Sequence, residues 1–110
     1  MELNEYQDLA SKTAMFNEEV LPPIAAATLG LAGETGEFAE KIKKIFRNDE
    51  GSISEEKRED LKKELGDVLW YLSQIARLLN VELEDVATTN IKKLADRHNR
   101  DVIKSEGDNR

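Results

Sequence analysis

Apolar residues recur three and four positions apart along almost the whole chain, and strand-like alternation of apolar and polar residues is absent. That spacing follows the 3.6-residue turn of a helix, so the pattern predicts an all-α protein. A first helix is predicted from about Leu3 to about Phe16, with Leu3, Tyr6, Ala10 and Thr13 on one side. The only prolines, Pro22 and Pro23, end or interrupt it. Because proline is tolerated in a first turn, a second helix is predicted to begin after Pro23, to break near Gly33 and Gly36, and to continue to about Phe46.

Arg47 to Ser52 then reads as a turn or loop. Ser54, followed by Glu55 and Glu56, reads as an N-cap with acids at the positive end of the helix dipole, opening a third helix that runs to about Leu79. After a short connection at Asn80 and Val81, a fourth helix carries Leu83, Val86, Ile91 and Leu94 on its apolar side and ends near Arg100. Short connections imply antiparallel neighbours, so the predicted architecture is a four-helix bundle-like subunit. The polar segment Ser105 to Arg110 is expected to fray.

The helix wheel shows where chemistry is placed. In the second helix Leu31, Phe38, Ile42 and Ile45 define the core direction, with Glu34 about 60° and Glu37 about 120° from it on the same side. The third helix repeats this: Leu61, Leu65, Val68, Leu72, Ile75 and Leu79 form its stripe, with Glu64 about 60° and Asp67 about 120° away in the same sense. Glu34-Thr35-Gly36-Glu37 thus echoes Glu64-Leu65-Gly66-Asp67, each an i, i+3 pair of acids with glycine before the second. Residues at i and i+3 share a helix face.

If the two helices pack with these flanks facing, four carboxylates converge. They stay ionised together only with a cation between them, since like charges oppose one another's ionisation. An all-oxygen set suits a hard ion, Mg²⁺ with Mn²⁺ as a substitute, and leaves room for water and phosphate. Ferritin-like diiron bundles also place carboxylates between helices, but they use Glu-x-x-His on two of them. The single histidine here, His98, has Ala95 three residues before it, which excludes that pattern. Glu40, about 180° from the core direction, reads as surface.

Composition narrows the classes further. At 110 residues the chain is read as one domain, with a core small enough that oligomerisation is expected to supplement it. A formal net charge of −7 argues against binding a nucleic-acid polymer, which requires a basic face. The absence of cysteine excludes disulfides and thiolate metal sites. No export signal or membrane-length apolar run is evident, so a cytoplasmic location is expected.

The four acids resemble the metal motif of the MazG-like nucleoside triphosphate pyrophosphohydrolases: Glu-x-x-Glu, a spacer, then Glu-x-x-Asp, here Glu34, Glu37, Glu64 and Asp67. The flanking words LGLAGETGE and KKELGDVLWYL resemble that family too, and the likeness extends from Tyr6-Gln7 to Arg97. It implies an all-α, Mg²⁺-dependent enzyme that hydrolyses (deoxy)nucleoside triphosphates between the α and β phosphates, giving monophosphate and pyrophosphate. Asn90-Ile91-Lys92-Lys93-Leu94-Ala95-Asp96-Arg97 is similar to a family segment whose basic residues meet the substrate phosphates, which assigns Asn90, Lys93 and Arg97 to that task. Lys93 and Arg97 are spaced i, i+4 and so share a face.

Within that chemistry the metal lowers the pKa of a bound water and aligns it for in-line attack, while Glu37, in preference to Glu34, accepts the proton. The resemblance also implies a homodimer or a tetramer built from dimers, often with two subunits completing one pocket. Tyr6, Phe16, Trp70 and Tyr71 are candidates for stacking on a base, although Trp70, on the far side of the third-helix wheel, fits a subunit interface better. Lys62 and Lys63 read as helix surface. Gly36 and Gly66, each just before the second acid of its pair, suggest clearance for another helix, a metal-bound water or a phosphate.

The biological reading is nucleotide house-cleaning or pool control. Specialisation for dUTP, dCTP or a phosphoribosyl nucleotide is the alternative within the enzyme class. A non-catalytic helical dimerisation or partner-binding module is the alternative outside it.

Overall fold

In a computed structural model of the chain, residues 1–99 are described. They form four helices: α1 (Leu3–Ser11), α2 (Pro23–Asp49), α3 (Glu55–Leu78) and α4 (Leu83–Asn99). The expected frayed tail, Ser105 to Arg110, lies outside the described residues, as does Arg100. No helix among the described residues is long and apolar enough to cross a membrane.

Helix α1 stops five residues before the predicted end. The Ser11 and Thr13 hydroxyls donate to the carbonyls of Asp8 and Ala10, at 2.6 and 2.8 Å, offering the last turn partners other than continued helix. The chain that follows turns back and places Phe16 against Trp70 of α3, with ring centroids 6.1 Å apart.

Helix α2 corrects the expectation of a break near the glycines, since it is continuous for 27 residues from Pro23, in the first turn, to Asp49. Propensity is a weak term beside the long contact that this helix makes with α3. The left-handed Glu50 (φ 55°) and Gly51 (φ 82°) end it, with both amides bonded back to the Ile45 carbonyl. Ser54 caps α3 as predicted, its hydroxyl accepting from the Lys57 amide at 3.2 Å.

Helices α2 and α3 pair antiparallel. Asp49 meets Lys57 near one end, Lys41 meets Asp60 and Glu64 in the middle, and Gly30 meets Tyr71 near the other. Helix α1 crosses the α3–α4 corner, held by the buried Gln7. Its amide nitrogen donates to the carbonyls of Ser73 (3.3 Å) and Val81 (3.0 Å), and its oxygen accepts from the Leu83 amide (3.0 Å). Asn4 adds a bond from the Glu84 amide at 3.0 Å, supplying an acceptor at the start of α4. Helix α4 therefore packs on α1 and α3 but not on α2.

The apolar core of the described residues is thin: Ala10, Ala27, Ile45, Leu61, Ala76 and Leu83. Three of these are alanines, which bury little area. The predicted α3 stripe divides accordingly: Leu61 is buried, whereas Leu65, Leu72 and Leu79, spaced seven apart, are 53%, 39% and 61% exposed. Ile91 and Val86 of α4 are exposed as well. The predicted α3 stripe is thus only partly the packed face: Ser73 and Gln74, which lie off it, are fully buried, because α1 packs on that side of α3 and Gln7 bonds to the Ser73 carbonyl.

Candidate metal centre and substrate cleft

The pairing of α2 with α3 brings Glu34, Glu37 and Glu64 together. One carboxylate oxygen from each lies within 4.8 Å of the others, a separation compatible with shared coordination of one ion. Asp67 falls outside this triplet but acts electrostatically on Glu34 and lines the same cleft. Thus three of the four predicted acids form a compact cluster and the fourth borders it. Glu34 and Glu64 are half-buried, whereas Glu37 and Asp67 are exposed.

The environment of Glu34 is costly for an anion. Burial raises the Glu34 pKa above the ordinary carboxylate value, and Glu37, Asp67 and Glu64 push it further in the same direction. Oε2 of Glu34 and Oε2 of Glu64 are buried without a hydrogen-bond partner. Two unsatisfied carboxylate oxygens in one acidic cluster fit a bound cation, which would supply the missing interaction. With neither cysteine nor histidine in the cluster, the donors are all oxygen, the set that hard divalent ions take.

Beside the acids lies a cleft of about 360 Å³ lined by Thr13, Glu34, Asp67, Trp70 and Tyr71. Trp70 is not the bare surface residue that the wheel suggested. It is half-buried, stands edge-on to Tyr71 with centroids 4.9 Å apart, and donates its indole N–H to Thr13 Oγ1 at 2.9 Å. The segment after α1 covers that side of α3, an arrangement one helix's periodicity does not encode. Burial, followed by the charge of Asp67, raises the pKa of Tyr6 and keeps its phenol protonated.

The glycines separate into two kinds. A β-carbon at Gly30 would lie 2.2 Å from the Tyr71 ring, so this glycine lets the ring seat against α2. Gly33, Gly36 and Gly66 face open space, with nothing within 4 Å of the point a β-carbon would occupy. No helix among the described residues uses the clearance at Gly36 and Gly66. The space there remains open to a ligand or another molecule.

Asn90 and Lys93 line a second cleft with Val81, Asp85, Val86 and Thr89, and Arg97 is buried. Since α4 does not pack on α2, the chain does not bring these residues onto the acidic triplet through that helix pair. Glu40 is surface as expected and pairs with Lys43 at 3.6 Å, while Lys62 pairs with Glu59 at 3.4 Å. Sequence reasoning missed Lys41, which donates to Glu64 Oε1 at 2.8 Å and to Asp60 Oδ2 at 2.7 Å. Its position four residues after Glu37 and seven after Glu34 places it on the acidic face, a signal available from the wheel.

Residues 24–102 match the MazG nucleotide pyrophosphohydrolase domain, a span that includes all four acids and the Asn90–Arg97 segment. The chain is 44% identical over 114 aligned positions to the Gene 37 protein of Mycobacterium phage L5, with 100% of both chains covered. No solved structure gives a significant match. With its four helices, its paired acidic motifs and this match over most of its length, the chain belongs to the MazG nucleotide pyrophosphohydrolase domain family.

Proposed function

We propose that the protein hydrolyses (deoxy)nucleoside triphosphates between the α and β phosphates, with Mg²⁺ as cofactor and Mn²⁺ as a substitute, releasing monophosphate and pyrophosphate. The observation that carries this reading is the pair of buried, partnerless oxygens on Glu34 and Glu64 within a three-carboxylate cluster that opens beside an aromatic cleft. Glu34, Glu37, Glu64 and Asp67 hold the metal. When bound, the ion supplies charge neutralisation of phosphate oxygens and a water of lowered pKa.

The protein's own residues do the rest. Glu37 is the acid of the triplet exposed to solvent, so a proton it takes from the attacking water can pass on to bulk water. Thr13, Trp70 and Tyr71 offer a hydroxyl and two ring systems beside the acids, suited to a nucleoside. Asn90 and Lys93 are assigned to the polyphosphate from a neighbouring subunit's α4, because α4 does not reach α2 within one chain. Arg97 joins them only once the residues covering it move. The open Leu65, Leu72 and Leu79 support a homodimer or a dimer of dimers.

The test is pyrophosphate release from a panel of nucleoside triphosphates with and without Mg²⁺, with product identification. Wild type should give monophosphate and pyrophosphate only with metal, and Glu37→Gln and Asp67→Asn should lose most of that rate. Equal background rates for all three proteins would reject the enzyme reading and leave the helical interaction module.

A further inference from the structure

Lys41 lies beside the acidic triplet, yet none of the roles above uses it. Its ammonium joins two acids one turn apart on α3, Asp60 and Glu64, at 2.7 and 2.8 Å. The Glu64 side chain is only 14% exposed, and the Lys41 side chain 34%. With Oε1 of Glu64 engaged by Lys41, Oε2 is left buried and without a partner.

We propose that Lys41 is a positioning residue for the metal centre: its bridge from Asp60 fixes the Glu64 carboxylate with one oxygen committed and the other presented for a divalent cation. This inference rests on the metal-centre reading above. A glutamate has several rotatable bonds, and its carboxylate serves as a ligand only when aimed. Hydrogen-bonded partners that aim a ligand typically change metal affinity by about 10- to 100-fold.

A lysine beside a cation site also carries a charge that repels the cation, so the two effects oppose each other. Asp60 decides between them. It sits as close to the ammonium as Glu64 does, and the Lys41–Asp60 pair is formally neutral, which weakens the repulsion while leaving the hydrogen bond to Glu64 intact. The aiming effect therefore dominates.

The experiment is Mn²⁺ binding, followed by electron paramagnetic resonance of free and bound ion without nucleotide, on wild type and on Lys41→Met, Lys41→Arg and Asp60→Asn. Circular dichroism and thermal melting report the fold of each. Lys41→Met should bind Mn²⁺ about 10- to 100-fold more weakly, and Lys41→Arg, which can span both acids, should recover most of the loss. Asp60→Asn, which leaves the ammonium uncompensated, should fall between wild type and Lys41→Met.

Mn²⁺ affinity equal to or tighter than wild type in a folded Lys41→Met protein would overturn the inference and make Lys41 a competing charge. If Lys41→Met does not fold, unchanged affinity in Asp60→Asn overturns it instead. Failure of wild type to bind Mn²⁺ would reject the metal-centre reading itself, an outcome distinct from either.

Discussion

The indole N–H of Trp70 donates to the hydroxyl of Thr13 at 2.9 Å, joining the segment after α1 to the face of α3 that also carries Asp67. The same hydroxyl donates to the Ala10 carbonyl, so one side chain both satisfies the end of α1 and holds a wall of the cleft. Thr13→Val keeps the shape and removes both bonds. It should cost about 0.5–1.5 kcal/mol per bond in urea unfolding, and should raise KM for nucleotide while Mn²⁺ affinity stays at the wild-type value. A fall in metal affinity equal to the rise in KM would show that this wall belongs to the metal centre instead.

Gly30 and Gly36 should respond oppositely to added volume. Gly30→Ala drives a methyl into the Tyr71 ring, which Trp70 holds edge-on, and should destabilise the fold by about 1–3 kcal/mol. Gly36→Ala meets nothing within 4 Å and should stabilise the helix by about 0.5–1 kcal/mol. Gly36→Val is the sharper probe of function: with the fold intact, it should weaken turnover if substrate or water uses that clearance. Unchanged turnover and metal affinity would dispose of the clearance idea while leaving the acids in place.

The raised pKa of Glu34 has a defined sign. Without metal, the folded state binds the Glu34 proton more tightly than the unfolded state does, whose value is near 4.5. The resulting penalty is full above the raised pKa, is relieved as pH falls through it, and is gone below about 4.5. In EDTA, Glu34→Gln should therefore melt above wild type at neutral pH, with the gap closing as the solution is acidified. Excess Mg²⁺ should reverse the order at neutral pH by stabilising the ionised carboxylate. A gap independent of pH would mean that the charge of Glu34 is not what strains the site.

Leu65 and Leu72 of α3, with Leu79 just past its end, form an open seam at seven-residue spacing. Leu72→Asp should shift sedimentation toward the monomer. Nucleotide turnover should then fall more than Mn²⁺ affinity, because α2 and α3 of one chain carry the acids while the proposed phosphate contacts come from another. A sedimentation profile identical to wild type would remove this seam from the interface.

Periodicity along the chain was sufficient for the four helices, the Ser54 cap and the shared face of each i, i+3 acid pair, because these depend on spacing within one helix, whereas the meeting of Glu34 and Glu37 with Glu64 took the packing of α2 on α3. Asp67, expected as the fourth acid of the set, lies outside the triplet and lines the cleft beside Glu34. The ends of elements were less legible. Helix α1 ends early through its own hydroxyls, and α2 runs through its glycines because contact with α3 outweighs their low propensity.

The sequence by itself determined the helical class, the acidic faces and the absence of any nitrogen or sulfur ligand among the acids. Only the tertiary structure decided that Thr13 meets Trp70, that Gly30 seats Tyr71, that Lys41 binds Glu64, and that half of the α3 stripe stays uncovered. Each of these depends on residues distant in sequence meeting at one point. A helix wheel gives the direction in which a side chain points, whereas packing between helices determines what stands in that direction.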